Sequence, residues 1–307
     1  MPRRRSSSDH VFTDVVSYMK KTRNLGHSED NMNKKMTRSV TPEEIATFQK
    51  DGVVCLRGFF NSDWVERLRD LIEEDIAAPS GMVKSIDAEG ATGFFFGDTF
   101  VCHHIEGFRD AVFNSPAPEI AASVLKADKV NLLFDQILVK EPDTSTPTPW
   151  HQDYTYWPVA GDQVATLWLA LDPVTFESGA VEYLRGSHRW GQKFLAISFD
   201  PGQKYEEELP EVPDIENNRG KYDIVSFELE PGDCTLHHAL TLHGAQPNRL
   251  ANVRRRAYIQ RWTGDDVTYN PRPNLQKMLR DPMIPPGAPL DSDLFPVVWR
   301  RGASARF

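Results

Sequence analysis

Apolar residues are sparse over the first 40 positions of the chain and become periodic only after them. Residues 1–40 are rich in Lys, Arg, Ser and Asn, and their one apolar patch, at 11–19, is brief. A segment of this composition cannot bury enough apolar surface to contribute much core. We therefore expect a polar, flexible N-terminal extension over 1–40, followed by a single domain over 41–307.

The ordered part of the chain begins with a helix start. Thr41 is placed to cap free amides, Pro42 suits the first helical position, and Glu44 completes a capping box. A glycine commonly follows the last turn of a helix, so this helix is expected to end at Gly52.

Two more helices are expected before the pattern changes. Ser62 is a candidate cap for the second, whose apolar residues recur at helical spacing until Pro79, and the third is short, over 118–126. After it, apolar residues fall into short β-type runs bounded by Gly, Pro and Asp. The expected strands cover 130–140, 165–171, 180–184, 224–229, 234–240 and 255–262.

Short strands that follow an initial helical section define the fold class. A parallel α/β fold would need a helix between successive strands, so the pattern predicts a mainly β fold with flanking helices. Its expected form is a jelly roll or a cupin-like barrel. Residues 191–222 form a long acidic insertion between strands. It is either a solvated excursion, that is, a solvent-exposed loop, or a lid over an active site.

Composition restricts the classes of partner. The 307 residues carry a net charge of −9, so the clustered positive charge that binds nucleic acid is missing and no nucleic-acid partner is expected. Cys55, Cys102 and Cys234 are odd in number and widely separated, which excludes a disulfide framework and favours the reducing cytoplasm. No apolar run approaches the roughly 18 residues of a membrane helix, so no membrane partner is expected. The oligomeric state is left open.

A histidine and an acid two residues apart supply two of the three ligands of a mononuclear iron(II) site. Nine histidines and 44 acids make roughly one such pair expected by chance, and three occur, at 27–29, 104–106 and 151–153. The first lies in the polar extension, and the second leads into a helical segment. His151 and Asp153 instead follow a strand and a Pro-rich loop, which makes them the preferred pair.

The residues around this pair predict a pocket. Gln152, Tyr154, Tyr156 and Trp157 directly neighbour the two ligands, and a rigid loop with aromatic walls excludes water. We therefore expect these four residues to line a substrate pocket.

The third ligand must come from a later strand that returns beside the first. His237, His238 and His243 all follow the turn at 231–233, but only His243 sits at a strand end entering a turn, with arginines at 254–256 shortly after it. An arginine in that position suits 2-oxoglutarate, because a guanidinium grips a carboxylate through two parallel hydrogen bonds. Alternation on a strand places Arg254 and Arg256 on one face and Arg255 on the other, so at least one points outward.

These motifs together resemble the phytanoyl-CoA dioxygenase family of iron(II)/2-oxoglutarate oxygenases, over most of residues 41–300. The similarity is carried by PWHQD at 149–153, WLALD at 168–172, GAVEYLRGSH at 179–188, PGD at 231–233, and HGAQPN at 243–248 with the arginines that follow. The resemblance implies a double-stranded β-helix in which His151, Asp153 and His243 bind iron. It also implies that an arginine 11 residues past the last histidine binds the co-substrate.

That spacing selects Arg254, and Arg255 stays possible if one residue is inserted, with Arg256 as a further alternative. Gln136 and Trp168 are expected by similarity at the walls of the co-substrate site, and a buried core position is equally open for Trp168. A buried amide such as Gln136 needs partners, which favours contact with a ligand.

The function implied by the resemblance is a dioxygenase that uses Fe(II), 2-oxoglutarate and O2 to oxidise a C–H bond of a small molecule, releasing succinate and CO2. Two alternatives stay open: a cupin-type metalloenzyme that does not use 2-oxoglutarate, and a non-catalytic binder of small molecules on the same fold. The arginine after His243 discriminates against the first. The expected substrate is a small molecule of secondary metabolism or catabolism without a carrier, because an acidic protein is a poor match for the phosphates of a CoA ester.

Overall fold

The computed structural model of the protein describes residues 36–85, 90, 92–198, 208–273 and 275–302. Residues 1–35, most of the predicted extension, lie outside the described residues. Within the described part, no helix combines the length and the apolar character needed to cross a bilayer.

The first helix confirms the capping prediction. Helix α1 covers Pro42–Asp51, with the Thr41 side chain accepting a hydrogen bond from the Glu44 amide and the Glu44 side chain accepting one from the Thr41 amide. It ends at Gly52, whose φ of 78° is left-handed. Local chemistry alone therefore fixes both ends of this helix.

Three further α-helices among the described residues pack beside the β-structure. The cap of the second helix is Asn61, and Ser62 is the first helical residue, because the Asn61 side chain accepts from the Trp64 amide. The buried side chains of this helix follow the predicted apolar spacing. The helices are α2 Ser62–Ala77, α3 Glu106–Asn114 and α4 Ala117–Leu125.

Two antiparallel sheets form the body of the domain, which confirms the jelly-roll prediction. The larger sheet has the order β1-β10-β7-β12-β4-β3-β2 with β14 added to β4, and the smaller has the order β5-β11-β8-β9. Strands β6 and β13 form a separate pair. The strands are β1 Val53–Leu56, β2 Lys84–Ser85, β3 Phe95–Thr99, β4 Lys129–Lys140, β5 Thr148–His151, β6 Val159–Ala160, β7 Val164–Ala170, β8 Val181–Leu184, β9 Ile224–Ser226, β10 Cys234–His238, β11 His243–Ala245, β12 Arg255–Thr263, β13 Thr268–Tyr269 and β14 Val297–Arg300.

Strand β12 runs through the middle of the large sheet, between β7 and β4. Both of its faces are buried: Ile259 points toward the small sheet, whereas Tyr258 packs on Phe108 of α3, with ring centroids 5.2 Å apart. Side chains at alternate positions of β12 therefore enter either the interior of the jelly roll or the helical layer outside it.

The acidic insertion packs against the small sheet at both of its described ends. Phe194 and Ile215 are buried in a cluster with Trp150, Leu184 and Leu242. Residues 199–207 lie outside the described residues, so the choice between an excursion and a lid stays a prediction.

Candidate active site

Two histidines and one aspartate converge between the sheets. His151 ends β5 and His243 begins β11, and the two residues are directly paired across these antiparallel strands. Asp153 Oδ1 lies 3.6 Å from His151 Nε2 and 3.9 Å from His243 Nε2. One ligand atom from each residue lies within 4.8 Å of the others, and all three residues are buried. Strand pairing thus joins side chains that are 90 or so positions apart in the chain.

The backbone fixes the tautomer of both imidazoles. His151 Nδ1 lies 2.8 Å from the Pro149 carbonyl, and His243 Nδ1 lies 3.0 Å from the Thr241 carbonyl. A carbonyl can only accept, so each Nδ1 carries the hydrogen and each Nε2 keeps its lone pair. Burial and the neighbouring imidazoles lower the pKa of His243 well below its usual value, which keeps that ligand neutral. Two neutral imidazoles and a carboxylate are the donor set of a non-haem iron(II) site.

Further side chains orient the carboxylate. Thr166 Oγ1 donates to Asp153 Oδ2 at 2.7 Å, and His237 Nε2 lies 3.3 Å from the same oxygen. Burial alone would raise the pKa of Asp153, but the neighbouring imidazoles of His151, His237 and His243 hold it well below its usual range. Oδ2 is therefore occupied, and Oδ1 faces the two ligand imidazoles.

His237 is a site residue that sequence reasoning set aside. It is not one of the three converging ligands, yet its ring lies 4.4 Å from that of His243, centroid to centroid. Its role follows from the pairing of β10 with β7, which puts His237 opposite Thr166. Nothing in the local sequence signals this contact.

A cavity opens beside the three residues and reaches between the two sheets. Of the predicted wall residues, Gln136, Trp168, Tyr156 and Trp157 line it. The remaining wall is largely apolar and includes Phe95 and Leu138.

Two predicted pocket residues, Gln152 and Tyr154, do not line this cavity. The chain leaves β5 after His151, and the Gln152 amide group donates to the Leu240 carbonyl at 2.8 Å while its Oε1 accepts from the Phe194 amide at 3.0 Å. The Tyr154 hydroxyl donates to the Gly161 carbonyl at 3.0 Å. Both side chains stabilise the loops around the site instead.

Of the three arginines, Arg255 lines the cavity, whereas the preferred Arg254 does not. Arg254 is partly exposed and pairs with Glu141 and Glu73 on the outer face. Arg256 points the same way and pairs with Asp172 at 2.8 Å. The two outward arginines obey the expected alternation, and the residue that the spacing of 11 selects lies on the outer face of the sheet.

Arg255 is almost fully buried, and its only partner among the described residues is the Gly179 carbonyl, which accepts from Nη1. Nε has no hydrogen-bond partner within the described chain. Burial lowers the pKa of Arg255 to about 10, so the guanidinium stays charged at neutral pH. Its central carbon lies 5.4 Å from the ring centre of Trp168.

Comparison with known proteins agrees with this site. The profile of the phytanoyl-CoA dioxygenase (PhyH) family matches residues 48–257. The chain belongs to the phytanoyl-CoA dioxygenase family. It is an iron(II)- and 2-oxoglutarate-dependent dioxygenase, which confirms the expected reaction class and the expected Fe(II), 2-oxoglutarate and O2.

Curated relatives carry matching names at low identity. A probable alpha-ketoglutarate-dependent hypophosphite dioxygenase of Stutzerimonas stutzeri is 31% identical over 41% of this chain and 43% of its own length. The multifunctional dioxygenase prhA of Penicillium brasilianum is 26% identical over 70% of this chain and 69% of its own. The chain thus spans less than half of the first relative and most of the second.

Solved structures share the fold of this family member. The non-heme alpha ketoglutarate dependent carbocyclase SnoK from nogalamycin biosynthesis matches with a TM-score of 0.70 and 23% identity, over 86% of this chain and 99% of its own. The epimerase SnoN, solved in complex with Fe3+, alpha ketoglutarate and nogalamycin RO, matches with a TM-score of 0.67 and 22% identity, over 84% and 98%.

Proposed function

We propose that this dioxygenase binds iron(II) through His151, Asp153 and His243, holds 2-oxoglutarate with Arg255, and oxidises a C–H bond of a small organic molecule in the same cavity. The proposal rests mainly on the position of Arg255. Its buried guanidinium, which has no acidic partner among the described residues, faces the same cavity as the three converging residues.

The environment of Arg255 supports an anionic ligand. Among the described residues it forms no ion pair, although a buried charge is costly unless it is compensated. A carboxylate of 2-oxoglutarate would supply the missing partner through bidentate hydrogen bonds. This favours a 2-oxoglutarate enzyme over a cupin that does without the co-substrate.

The position of Arg255 along its strand also fits this role. Its Cα lies at the start of β12, but its guanidinium stacks near Trp168, which is paired with Ile259 four residues further along. The side chain therefore extends along β12 in the direction of Ile259, toward the end of the sheet where Thr166 and His237 contact Asp153.

Each residue of the site has a part in the proposed reaction. Bound iron(II), with 2-oxoglutarate and O2, supplies oxidising power for an unreactive C–H bond and leaves succinate and CO2. The neutral imidazoles of His151 and His243 and the carboxylate of Asp153 would hold the iron ion. Thr166 fixes the carboxylate, and Tyr156 and Trp157 form walls that keep water from the reacting centre.

The proposed substrate is a small metabolite without a carrier, from secondary metabolism or catabolism. SnoN was solved with a compound of that class bound, and the cavity here is largely apolar apart from the metal ligands and its arginines. A cytoplasmic location is proposed with it, supported by three unpaired cysteines, Cys55, Cys102 and Cys234.

An anaerobic titration tests the proposal. Mixing the protein with iron(II) and 2-oxoglutarate should produce the visible charge-transfer band of a bidentate 2-oxoglutarate–iron(II) chelate. His151→Ala should abolish the band, whereas His104→Ala, which changes an exposed histidine bonded to the Ala78 carbonyl, should leave it intact. A parent protein that gives no band would contradict the proposed roles.

A further inference from the structure

A second arginine lines the cavity, at the end of β12 opposite to Arg255. Arg261 lies six residues after Arg255, on the same face of the strand. It is paired in register with Thr166, the residue that bonds Asp153. Its guanidinium therefore faces the metal end of the cavity.

Most of the hydrogen-bonding capacity of Arg261 is unused. Nη2 donates to Gln136 Oε1 at 2.6 Å, but Nε and Nη1 have no partner among the described residues. The guanidinium lies 4.6 Å from the ring centre of Phe134, and the residue is only 8% exposed. Burial lowers the pKa of Arg261 to about 10, so it is charged at neutral pH.

No acid in the described chain forms an ion pair with Arg261. Asp153 is directed at the metal ligands and at Thr166. Asp135 follows the opposite alternation from Gln136 on β4, so it faces the helical layer, where it accepts from the Tyr258 hydroxyl at 2.8 Å. The guanidinium of Arg261 is thus available to bind an anionic ligand.

The charge of the loaded site points the same way. Among the described residues lining the cavity there are two arginines and one carboxylate, Asp153. Doubly charged iron and doubly charged 2-oxoglutarate cancel, so the loaded site with neutral imidazoles keeps one positive charge in excess. A substrate with one negative charge would neutralise it.

Resting on the function proposed above, we propose that Arg261 and Gln136 form a second carboxylate-binding position and that the primary substrate is an organic acid. Both carboxylates of 2-oxoglutarate already have positions, one at Arg255 and one at the metal, so this one falls to the substrate. Gln136 Oε1 accepts from Arg261, which leaves its Nε2 group to donate to the same carboxylate. The acid group fixed there would set which C–H bond lies over the metal.

Calorimetric titrations with acid–amide pairs test this. The protein is loaded with manganese(II) in place of iron, and binding of 2-oxoglutarate is measured first, which tests the proposed function by itself. The loaded complex is then titrated with benzoate and benzamide, hexanoate and hexanamide, and phenylacetate and phenylacetamide. At least one acid should bind more than about tenfold tighter than its amide, as expected for one charge-assisted pair.

Three variants locate the effect. Arg261→Gln should abolish the preference for the acid while changing the Kd for 2-oxoglutarate by less than about threefold. Gln136→Glu keeps the volume and the packing but supplies an internal carboxylate to Arg261, so it should also abolish the preference. Arg254→Gln, which removes an arginine outside the cavity, should keep it.

Two results would overturn the inference without touching the proposed function. One is a parent protein that binds 2-oxoglutarate but no acid better than its amide. The other is an Arg261→Gln variant that loses 2-oxoglutarate affinity instead of acid preference, which would assign this arginine to the co-substrate. Failure of the parent to bind 2-oxoglutarate would overturn both proposals.

Discussion

Replacing Arg255 by methionine should separate co-substrate binding from folding. The change removes the buried guanidinium and keeps an unbranched apolar side chain that replaces the aliphatic stem of arginine. Arg255 has one hydrogen bond within the described chain, to the Gly179 carbonyl, and an unpartnered Nε. Exchanging a buried charge for a well-packed apolar group is often neutral or stabilising, so the variant should stay folded.

The expected loss lies in the affinity for 2-oxoglutarate. Removing one member of a buried, hydrogen-bonded charge pair costs about 2–5 kcal/mol in binding. A central value of about 3 kcal/mol raises the Kd for 2-oxoglutarate about 150-fold. Arg254→Gln removes a partly exposed arginine that pairs with Glu73 and Glu141, so its cost should be about 1 kcal/mol of stability or less, with no change in that Kd.

Isothermal titration of the manganese-loaded proteins with 2-oxoglutarate measures both effects, and thermal unfolding in parallel verifies that each variant is folded. A folded Arg255→Met variant that binds 2-oxoglutarate within about threefold of the parent would contradict the assignment of Arg255 as the residue that holds 2-oxoglutarate. A large loss of 2-oxoglutarate affinity in the Arg254→Gln variant would contradict it too, because Arg254 on the outer face would then be the residue that binds 2-oxoglutarate.

Three other predictions concern the support of the site and the stability of the domain. Thr166→Val removes the 2.7 Å hydrogen bond to Asp153 and should weaken iron(II) binding by about 10- to 100-fold in an equilibrium metal competition assay, with an unchanged affinity as the contrary result. Burial raises the pKa of Asp75 to about 7. The contribution of this carboxyl group to stability is therefore fully present below its unfolded pKa, where it is protonated, and is lost as pH rises through 7. Asp75→Asn should accordingly raise Tm more at pH 8 than at pH 5. Equal shifts at the two pH values would contradict that assignment. Gly52→Ala should destabilise by more than about 1 kcal/mol in urea unfolding, since φ is 78° and a Cβ would lie 2.3 Å from His188 Nδ1; a neutral variant would show that the helix end can rearrange.

The sequence predicts well what depends on neighbouring residues. The capping box at Thr41 and Glu44 is formed by groups three positions apart, and the structure contains both hydrogen bonds. The jelly roll follows from many short strands without intervening helices. The convergence of His151 and His243 required a long-range match, which the family motifs supplied.

The sequence could not show which arginine faces the cavity, because inward and outward positions on β12 cannot be told apart by hydrophobicity. Tyr258 and Trp262 on one face and Ile259 on the other are all buried, since helices cover the outside of the sheet. Only the pairing register with β4 and β7 identifies Arg255 and Arg261 as the inward residues.

Contacts between residues on strands that are distant in sequence could not be predicted from the sequence either. His237 meets Asp153 because β10 pairs with β7, and Gln152 turns away because the chain leaves its strand directly after His151. Nearness in sequence to a ligand therefore predicted the aromatic walls only in part.

The imidazoles of His151 and His243 and the carboxylate of Asp153 are proposed to hold a single iron ion. Crystals grown with iron(II) under anaerobic conditions and measured at the iron absorption edge test it directly. One anomalous peak should lie about 2 Å from Nε2 of His151, Nε2 of His243 and an oxygen of Asp153. A peak at other residues, or a fully loaded protein with no peak at these three, would contradict it.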